Sequence, residues 1–248
     1  SCPPPAAARV AMGRGMGAAP GEATVPSFTS GTTALPGGPT PAPDMTVASL
    51  EAAAVRGDAK AQLALAVRYS EGRGVDKDDA KAVSLVTKAA QQGLVFAEYR
   101  LGAIYERGVG VPKDLVQARN WYERAAKGGS RKAMHNLAVL YADGVGIPQN
   151  FPEAARWFRQ GADFGLADSQ YNLAVLLERG MGVEKNASEA AKWYAVASSQ
   201  GDTGAAERLE ALKRTMSPAD IAMALEAART FKPKPLDPSA NEPPGASG

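Results

Sequence analysis

Four Gly-X-Gly pairs, spaced by a constant 36 residues, constrain the fold of this chain more than any other feature. The first glycines of the four pairs are Gly72, Gly108, Gly144 and Gly180. A constant period of this length is typical of solenoids, in which a unit buries its apolar face only by stacking on its neighbours. The repeat therefore predicts a series of similar units that share a continuous core.

The first half of each repeat has the apolar spacing of an amphipathic helix, which we call helix A. Each repeat is counted from its opening glycine, which is Gly57, Gly93, Gly129 or Gly165. The residue eight positions later is always leucine, the next is Ala or Gly, and Tyr or Leu follows three positions further on. This spacing predicts one buried helical face with a small residue where a second helix approaches. The first glycine of each pair then suits the left-handed position just past a helix end.

The second half of each repeat predicts another helix, helix B. Its start carries Asp or Asn as a helix cap, and in three of the four repeats Gln or Glu follows three residues later, as in a capping box. The predicted caps are Asp78, Asp114, Asn150 and Asn186. Further along, a large apolar residue faces columns of small residues, which is how two helices fill one layer without voids. The large residues are Leu85, Trp121, Trp157 and Trp193.

Glycine pairs also occur in loops that bind phosphate, so nucleotide binding is an alternative. Such loops follow a buried strand and carry either a third glycine or a Lys followed by Ser or Thr. No copy of the pair has these features. The pairs are therefore interpreted as helix ends, and no cofactor is expected.

Together these columns resemble the Sel1-like repeat (SLR), a relative of the tetratricopeptide repeat. The resemblance rests on the order A-x-x-x-L-A/G-x-x-Y-x-x-G-x-G-V-x-x-D/N-x-x-x-A-x-x-W-Y/F-x-x-A-A and covers about residues 57–200. It implies an all-α fold: a right-handed, superhelical α/α solenoid of four 36-residue helix-turn-helix repeats with a concave groove. It also implies a non-enzymatic adaptor that assembles protein complexes.

The segments on either side of the repeats predict capping helices and unstructured tails. Residues 45–231 are expected to form the solenoid with its capping helices, because solenoid ends need atypical units. Residues 1–44 and 232–248 are rich in Pro and lack apolar periodicity, which predicts a disordered linker and a disordered tail. The expected buried residues of the capping helices are Leu50, Ala53 and Ala54 at the first end and Ile221, Leu225 and Ala228 at the second, where Ser217 is the cap and Pro218 the first helical residue.

Composition excludes several classes of function. A net charge of +2 creates no broad field for nucleic acid. A single cysteine excludes an internal disulfide framework and a cysteine-based zinc site. No apolar run approaches the roughly 18 residues of a membrane-spanning helix. The chain begins with Ser1, so we expect that it was processed or is part of something longer.

By analogy with tetratricopeptide repeats, a partner-binding groove is expected on helix A, at positions three, six, ten and fourteen after each opening glycine. An apolar floor with aromatic anchors and charges at its edge suits an extended peptide or a partner helix. The sixth position is also commonly aromatic for packing, so that column could instead be core. The candidate groove residues are Phe96, Tyr99, Arg107, Lys132, His135, Val139, Asp143, Asp168, Tyr171, Val175 and Arg179.

Three groups of residues could carry chemistry instead. His135 is the only histidine, and the sequence gathers no partners for a triad or a metal site near it. Acidic residues at the end of helix A would suit a carboxylate-pair hydrolase, but charges at helix ends are usually solvated. These acidic residues are Glu71, Glu106, Asp143 and Glu178. Cys2 could be the lipidated first residue of a lipoprotein. No catalytic residue and no metal site is predicted.

Two functions follow from these observations. The favoured hypothesis is a protein-protein interaction scaffold that binds a protein or peptide ligand in the groove. The alternative is an envelope module that binds, or less readily cuts, peptidoglycan or another glycan. The Pro/Ala-rich beginning, the repeats and the closing segment 217–235 are also similar to the periplasmic part of alphaproteobacterial polar localization factors. That similarity implies a periplasmic piece of a membrane-anchored protein with polar signalling or cell-wall partners; secretion or lipidation is the alternative.

Overall fold

The structure, a computed structural model, describes residues 45–244, and every regular element in that range is an α-helix. The predicted linker 1–44, including Cys2, and residues 245–248 lie outside the described residues. The all-α fold class is confirmed. The helices are α1 Val47–Val55, α2 Ala59–Glu71, α3 Asp79–Gln91, α4 Val95–Arg107, α5 Leu115–Lys127, α6 Arg131–Asp143, α7 Phe151–Asp163, α8 Ala167–Arg179, α9 Ala187–Ser199, α10 Thr203–Lys213, α11 Pro218–Arg229 and α12 Pro238–Asn241.

Each of the four repeats is a helix pair, as predicted. Helix A is α2, α4, α6 or α8, helix B is α3, α5, α7 or α9, and each of the eight has 13 residues. The first glycine of each Gly-X-Gly pair has φ between 62° and 73°, a left-handed conformation that residues with a Cβ rarely adopt. Its N–H bonds to the carbonyl four residues back, as in Gly108 N to Ile104 O at 2.8 Å. The pairs therefore end helices, and the phosphate-loop alternative is wrong.

The predicted caps of helix B are confirmed. The side chain of each cap accepts a hydrogen bond from the backbone N–H three residues later, at 2.8 to 3.1 Å. The carboxylates of Glu153 and Glu189 were expected to complete capping boxes. They instead pair with Arg156 and Arg159, because a guanidinium lies within reach of each carboxylate.

The described chain forms two compact units, and each has its own core. The N-terminal unit contains residues 45–133 together with 236–244. In it, α1 packs on α2, α2 on α3, α3 on α4 and α4 on α5. Leu50, Leu101 and Tyr122 are fully buried. Position 102 has no room for a side chain, because a Cβ there would lie 2.6 Å from the Tyr122 ring.

The C-terminal unit contains residues 134–235. Here α8 contacts α7 and α9, and α9 also contacts α10 and α11. Trp193 and Trp157 are buried, as expected for a core column. The third tryptophan, Trp121 of the N-terminal unit, is half-buried, and the guanidinium of Arg124 lies 4.6 Å from its ring centroid.

The capping helices are partly as predicted. Leu50, Ala53 and Ala54 of α1 are buried against α2, which confirms the first cap. Helix α11 begins at Ser217 and Pro218 as expected, but its buried residue is Ala224, while Leu225 is 36% exposed. The difference arises because α11 packs against α9, and this contact turns a face towards the core that differs from the predicted one.

The structure also differs from the expected disordered tail in residues 232–244. In the C-terminal unit, the N–H of Lys234 donates to the carbonyl of Asp163 at 2.8 Å. In the N-terminal unit, α12 contacts α4 and Ala240 is buried. Proline has a fixed φ, so a Pro-rich segment loses less conformational entropy when it is ordered, and a few contacts can hold it.

Candidate functional site

Five of the predicted groove residues lie in the core instead of on a surface. Their exposed fractions are 6% for Phe96, 4% for His135, 8% for Val139, 3% for Tyr171 and 0% for Val175. The prediction of an apolar, aromatic floor that a partner contacts is therefore wrong for these side chains. Sequence spacing placed these residues on one helix, but it could not determine which of its apolar columns faces outwards.

In repeats two to four, the sixth position of helix A packs against an aromatic residue of helix B in the same repeat, which buries His135 and Tyr171 and leaves Tyr99 partly exposed. The ring centroids of Tyr99 and Tyr122 are 6.0 Å apart. The His135 and Phe158 centroids are 5.6 Å apart, and those of Tyr171 and Tyr194 are also 5.6 Å apart. Aromatic pairs at these distances are a packing arrangement. This column therefore fills the layer between the two helices.

His135 and its hydrogen-bond partner, Ser169, are both buried in the core of the C-terminal unit. Its Nδ1 lies 3.0 Å from Ser169 Oγ, and its Nε2 has no hydrogen-bond partner among the described residues. Burial lowers its pKa to about 4, so the ring is neutral at physiological pH. Among residues 45–244 no group of His, Cys, Asp or Glu side chains could hold a metal ion.

The acidic residues at the end of helix A take part in structural hydrogen bonds. Glu106 accepts a hydrogen bond from the Tyr122 hydroxyl at 2.5 Å, and burial raises the pKa of its carboxyl. Glu178 accepts one from the Tyr194 hydroxyl at 2.7 Å and pairs with Arg208 at 2.6 Å. A glycosidase needs one free carboxylic acid and one free carboxylate facing each other. Glu178 has no such freedom, since its carboxylate is neutralised by Arg208.

The remaining groove candidates keep part of their surface exposed, and most of them are charged. Lys132 is exposed in the N-terminal unit, where Tyr99 and Arg107 are partly exposed. Asp143, Asp168 and Arg179 are partly exposed in the C-terminal unit. Helix A therefore presents polar side chains at position fourteen and, except for the buried Phe96, at position three, while its sixth and tenth positions are mostly core. The accessible chemistry is charge, with Tyr99 as a partly exposed aromatic.

An acidic pocket of about 270 Å³ lies in the C-terminal unit beside these candidates. Its lining includes Tyr171, Asp202 and Glu207. Burial and the charge of Asp202 raise the pKa of the neighbouring Asp168 to about 6. Two carboxylate side chains line the pocket, so it suits a basic side chain better than an anion.

A second surface, which the sequence did not reveal, lies under the chain after α11. The Phe231 ring meets the Trp193 ring edge-on, with centroids 5.2 Å apart. The Nζ of Lys234 lies 3.0 Å from an oxygen of the Asp163 carboxylate. The only sequence signal for this surface is an aromatic residue followed by alternating Lys and Pro. The composition of that segment predicted an unstructured tail.

None of the described helices exceeds 13 residues, and none combines the length and hydropathy that a bilayer-spanning helix requires.

Comparison with known proteins supports the repeat assignment. The model of the Sel1 repeat family matches residues 59–94, 95–130, 131–165 and 167–202. A search of the curated proteins gave no match.

Two solved structures have similar folds. One is the crystal structure of a protective antigen present in uropathogenic Escherichia coli strains, which displays an SLR fold. It is 34% identical, with a TM-score of 0.67, over 75% of this chain and 41% of that chain. The other is a Sel1 repeat protein from Oxalobacter formigenes. It is 37% identical, with a TM-score of 0.61, over 67% of this chain and 48% of that chain.

The chain thus spans less than half the length of either solved relative. The matched repeats nevertheless cover more than half of this chain, and each coincides with one of the helix pairs described above. The predicted resemblance is confirmed at this level: the chain belongs to the Sel1 repeat family.

Proposed function

We propose that the chain is a non-enzymatic scaffold that binds a protein or peptide partner through the exposed, charged positions of helix A. Sel1 repeat proteins are generally interaction scaffolds. One observation carries the proposal: the helix A side chains that remain accessible are mostly ionic, and the apolar ones are committed to the core. Recognition of this kind depends on charge complementarity, which sets specificity and association rate.

The two units favour ligand groups of different charge. In the N-terminal unit, Lys132 and Arg107 suit acidic side chains. In the C-terminal unit, the pocket beside Asp168 suits a basic side chain. A polar peptide or an amphipathic helix with charged residues fits this chemistry better than an apolar small molecule.

Charge reversal tests the proposal. Lys132→Glu in the N-terminal unit and Glu207→Lys in the C-terminal unit each reverse an exposed charge near the candidate groove. An exposed charge pair contributes about 1 kcal/mol, so loss of a contact should lower partner capture by about fivefold. The measurement is quantitative mass spectrometry of proteins captured from extracts of the source cells by the immobilised chain.

The matched controls are Lys88→Glu on helix B and Glu184→Lys in the loop between α8 and α9, both at exposed positions. Neither should alter capture. The proposal is wrong if all four variants capture the same proteins in the same amounts as the wild type.

We also propose, as a separate point, that the chain acts in the cell envelope as part of a membrane-anchored protein. The support is the similarity of the Pro/Ala-rich beginning, the repeats and the closing segment to polar localization factors. Neither the matched family nor the two solved structures names such a factor. Protease added to intact and permeabilised cells tests this. Degradation only after the outer membrane is opened is expected, and protection until the inner membrane is broken would contradict it.

A further inference from the structure

The segment after α11, residues Phe231–Lys234, lies against the C-terminal unit beside the turn that joins α7 to α8. We call it the FKPK segment. Its first residue, Phe231, packs on Trp193, and the ammonium group of Lys192 lies 4.3 Å from the Trp193 centroid and 5.6 Å from the Phe231 centroid. A cation over two rings adds an attractive contact to the aromatic pair.

The rest of the segment contacts the turn itself. Pro233 covers Gly165, where an added Cβ would lie 3.0 Å from the proline Cβ. The N–H of Lys234 donates to the carbonyl of Asp163 at 2.8 Å, and its ammonium group pairs with the carboxylate of the same residue at 3.0 Å. Asp163 thus binds both the backbone and the side chain of one residue.

These contacts are those of a bound peptide. They comprise one aromatic anchor, one proline that packs on a glycine, one backbone hydrogen bond and one ion pair. Extended Pro-containing segments are recognised through contacts of this kind. Lys232, Pro233 and Lys234 all remain exposed to solvent. The segment is therefore held on one side only.

The surface also has room that the segment does not fill. A cavity of about 600 Å³ opens beside it. Its lining includes Val196, Leu225, Ala228 and Phe231. Leu225 is 36% exposed. A ligand with an additional apolar side chain would bury surface here that the FKPK segment leaves open to water.

We propose that this surface is a peptide-binding site, that the FKPK segment is its tethered resident, and that a partner segment with the order aromatic–X–Pro–basic exchanges with it. The tether presents the resident at an effective concentration on the order of millimolar, so an untethered competitor must bind more tightly. The cavity beside Leu225 supplies that additional contact. The proposal does not depend on the helix A surface.

The test uses the full chain and a fluorescent peptide that copies residues 230–235. In a released variant, Phe231→Ala with Lys234→Glu, the anchor and the ion pair of the resident are lost. The peptide should bind this variant, and it should bind the wild type at least about tenfold more weakly, because the intact resident competes. Hydrogen exchange at the amide of residue 234 should be slow in the wild type and fast in the released variant.

Two matched comparisons in the released variant locate the site. Asp163→Asn should weaken peptide binding several-fold, and Glu184→Gln, at an exposed loop position of the same unit, should not affect it. Gly165→Ala and Gly201→Ala place a Cβ on glycines with φ of 81° and 97°, so both changes strain the backbone. Only Gly165 meets Pro233, while nothing lies within 4 Å of a Cβ at Gly201. Gly165→Ala alone should weaken binding.

Three results would overturn the proposal. The peptide could fail to bind a released variant whose circular dichroism is unchanged. It could bind the wild type and the released variant equally. The amide of residue 234 could stay protected in the released variant, which would mean that the segment is a fixed part of the fold. Binding of a peptide in which both prolines are alanine, with equal affinity, would reject the proline contact.

Discussion

At the scale of single residues, the sixth position of helix A determines how the repeat is packed. Tyr99, His135 and Tyr171 each contact the aromatic residue of helix B in the same repeat. Leu63, at the corresponding position of the first repeat, is fully buried. An alanine at one of these positions would leave a cavity in the core, so it would lower stability and could not serve as a clean test of partner binding.

His135 gives a prediction for the pH dependence of stability. Its pKa is about 4 in the folded protein and 6.5 when unperturbed. As pH falls below 6.5, the unfolded chain binds a proton that the folded chain does not bind until pH 4 is approached, so stability is lost in this window. Between pH 7.5 and pH 5, the contribution of His135 is expected to lower the free energy of unfolding by about 2 kcal/mol. Urea unfolding of the wild type and of His135→Leu, at both pH values, measures it.

The difference between the wild type and His135→Leu is more informative than the pH dependence of the wild type alone. The pKa of Asp168 is raised to about 6, so its partial burial in the charged form costs stability above that pH and the cost disappears as pH falls. The contribution of Asp168 is therefore opposite in sign to that of His135, and it is present in both the wild type and His135→Leu. If His135→Leu loses as much stability as the wild type between the two pH values, the buried neutral histidine is not the cause.

At the scale of elements, the helices of the C-terminal unit are held to very different degrees. Helix α9 buries six side chains and contacts α8, α10 and α11. Helix α11 buries only Ala224 and is held mainly by its contact with α9. The free energy needed to open a helix increases with the apolar surface that the helix buries, because opening exposes that surface to water. The helix next to the FKPK segment is thus weakly held.

We therefore predict that α11 opens without global unfolding. Its amide hydrogens should exchange at least about 100-fold faster than those of α9, which corresponds to a difference of roughly 3 kcal/mol in opening free energy. Native-state hydrogen exchange followed by mass spectrometry measures both helices in one sample. Equal protection of α11 and α9 would show that α11 opens together with the core of the unit.

At the scale of the whole molecule, the accessible chemistry is charged while the net charge is only +2. Positive and negative groups lie at local sites, including Lys132 in one unit and the acidic pocket in the other. Local charges of this kind steer a complementary partner without attracting polyanions in general. This arrangement suits a scaffold with a specific protein ligand.

The charged surface predicts that partner binding depends on salt. Raising NaCl from about 0.05 to 0.5 M shortens the screening length from roughly 14 to 4 Å and should reduce capture several-fold. The retained amount of partner at each salt concentration measures this effect. Capture that is unchanged or increased by salt would point to an apolar interface and would contradict recognition through helix A.

Much of the fold could be predicted from the sequence because it depends on near neighbours. The helix ends at Gly72 and Gly108, the caps at Asp78 and Asn150, and the small residue at Gly102 follow from backbone conformation and from contacts within one repeat. A residue pattern repeated four times makes such local signals strong. The family assignment rests on the same pattern.

The candidate sites could not be predicted in the same way, because they depend on contacts that local spacing does not encode. Helical periodicity shows that Tyr171 and His135 are on an apolar face, but only the neighbouring helix shows that this face is covered. Composition marks the Pro-rich end as a tail, but Phe231 and Lys234 are held by Trp193 and Asp163, which lie far away in the chain. The sequence by itself determined the repeated helix pairs, since these follow from local geometry. Only the tertiary structure decided which side chains are left for a partner, since burial is a property of the assembled chain.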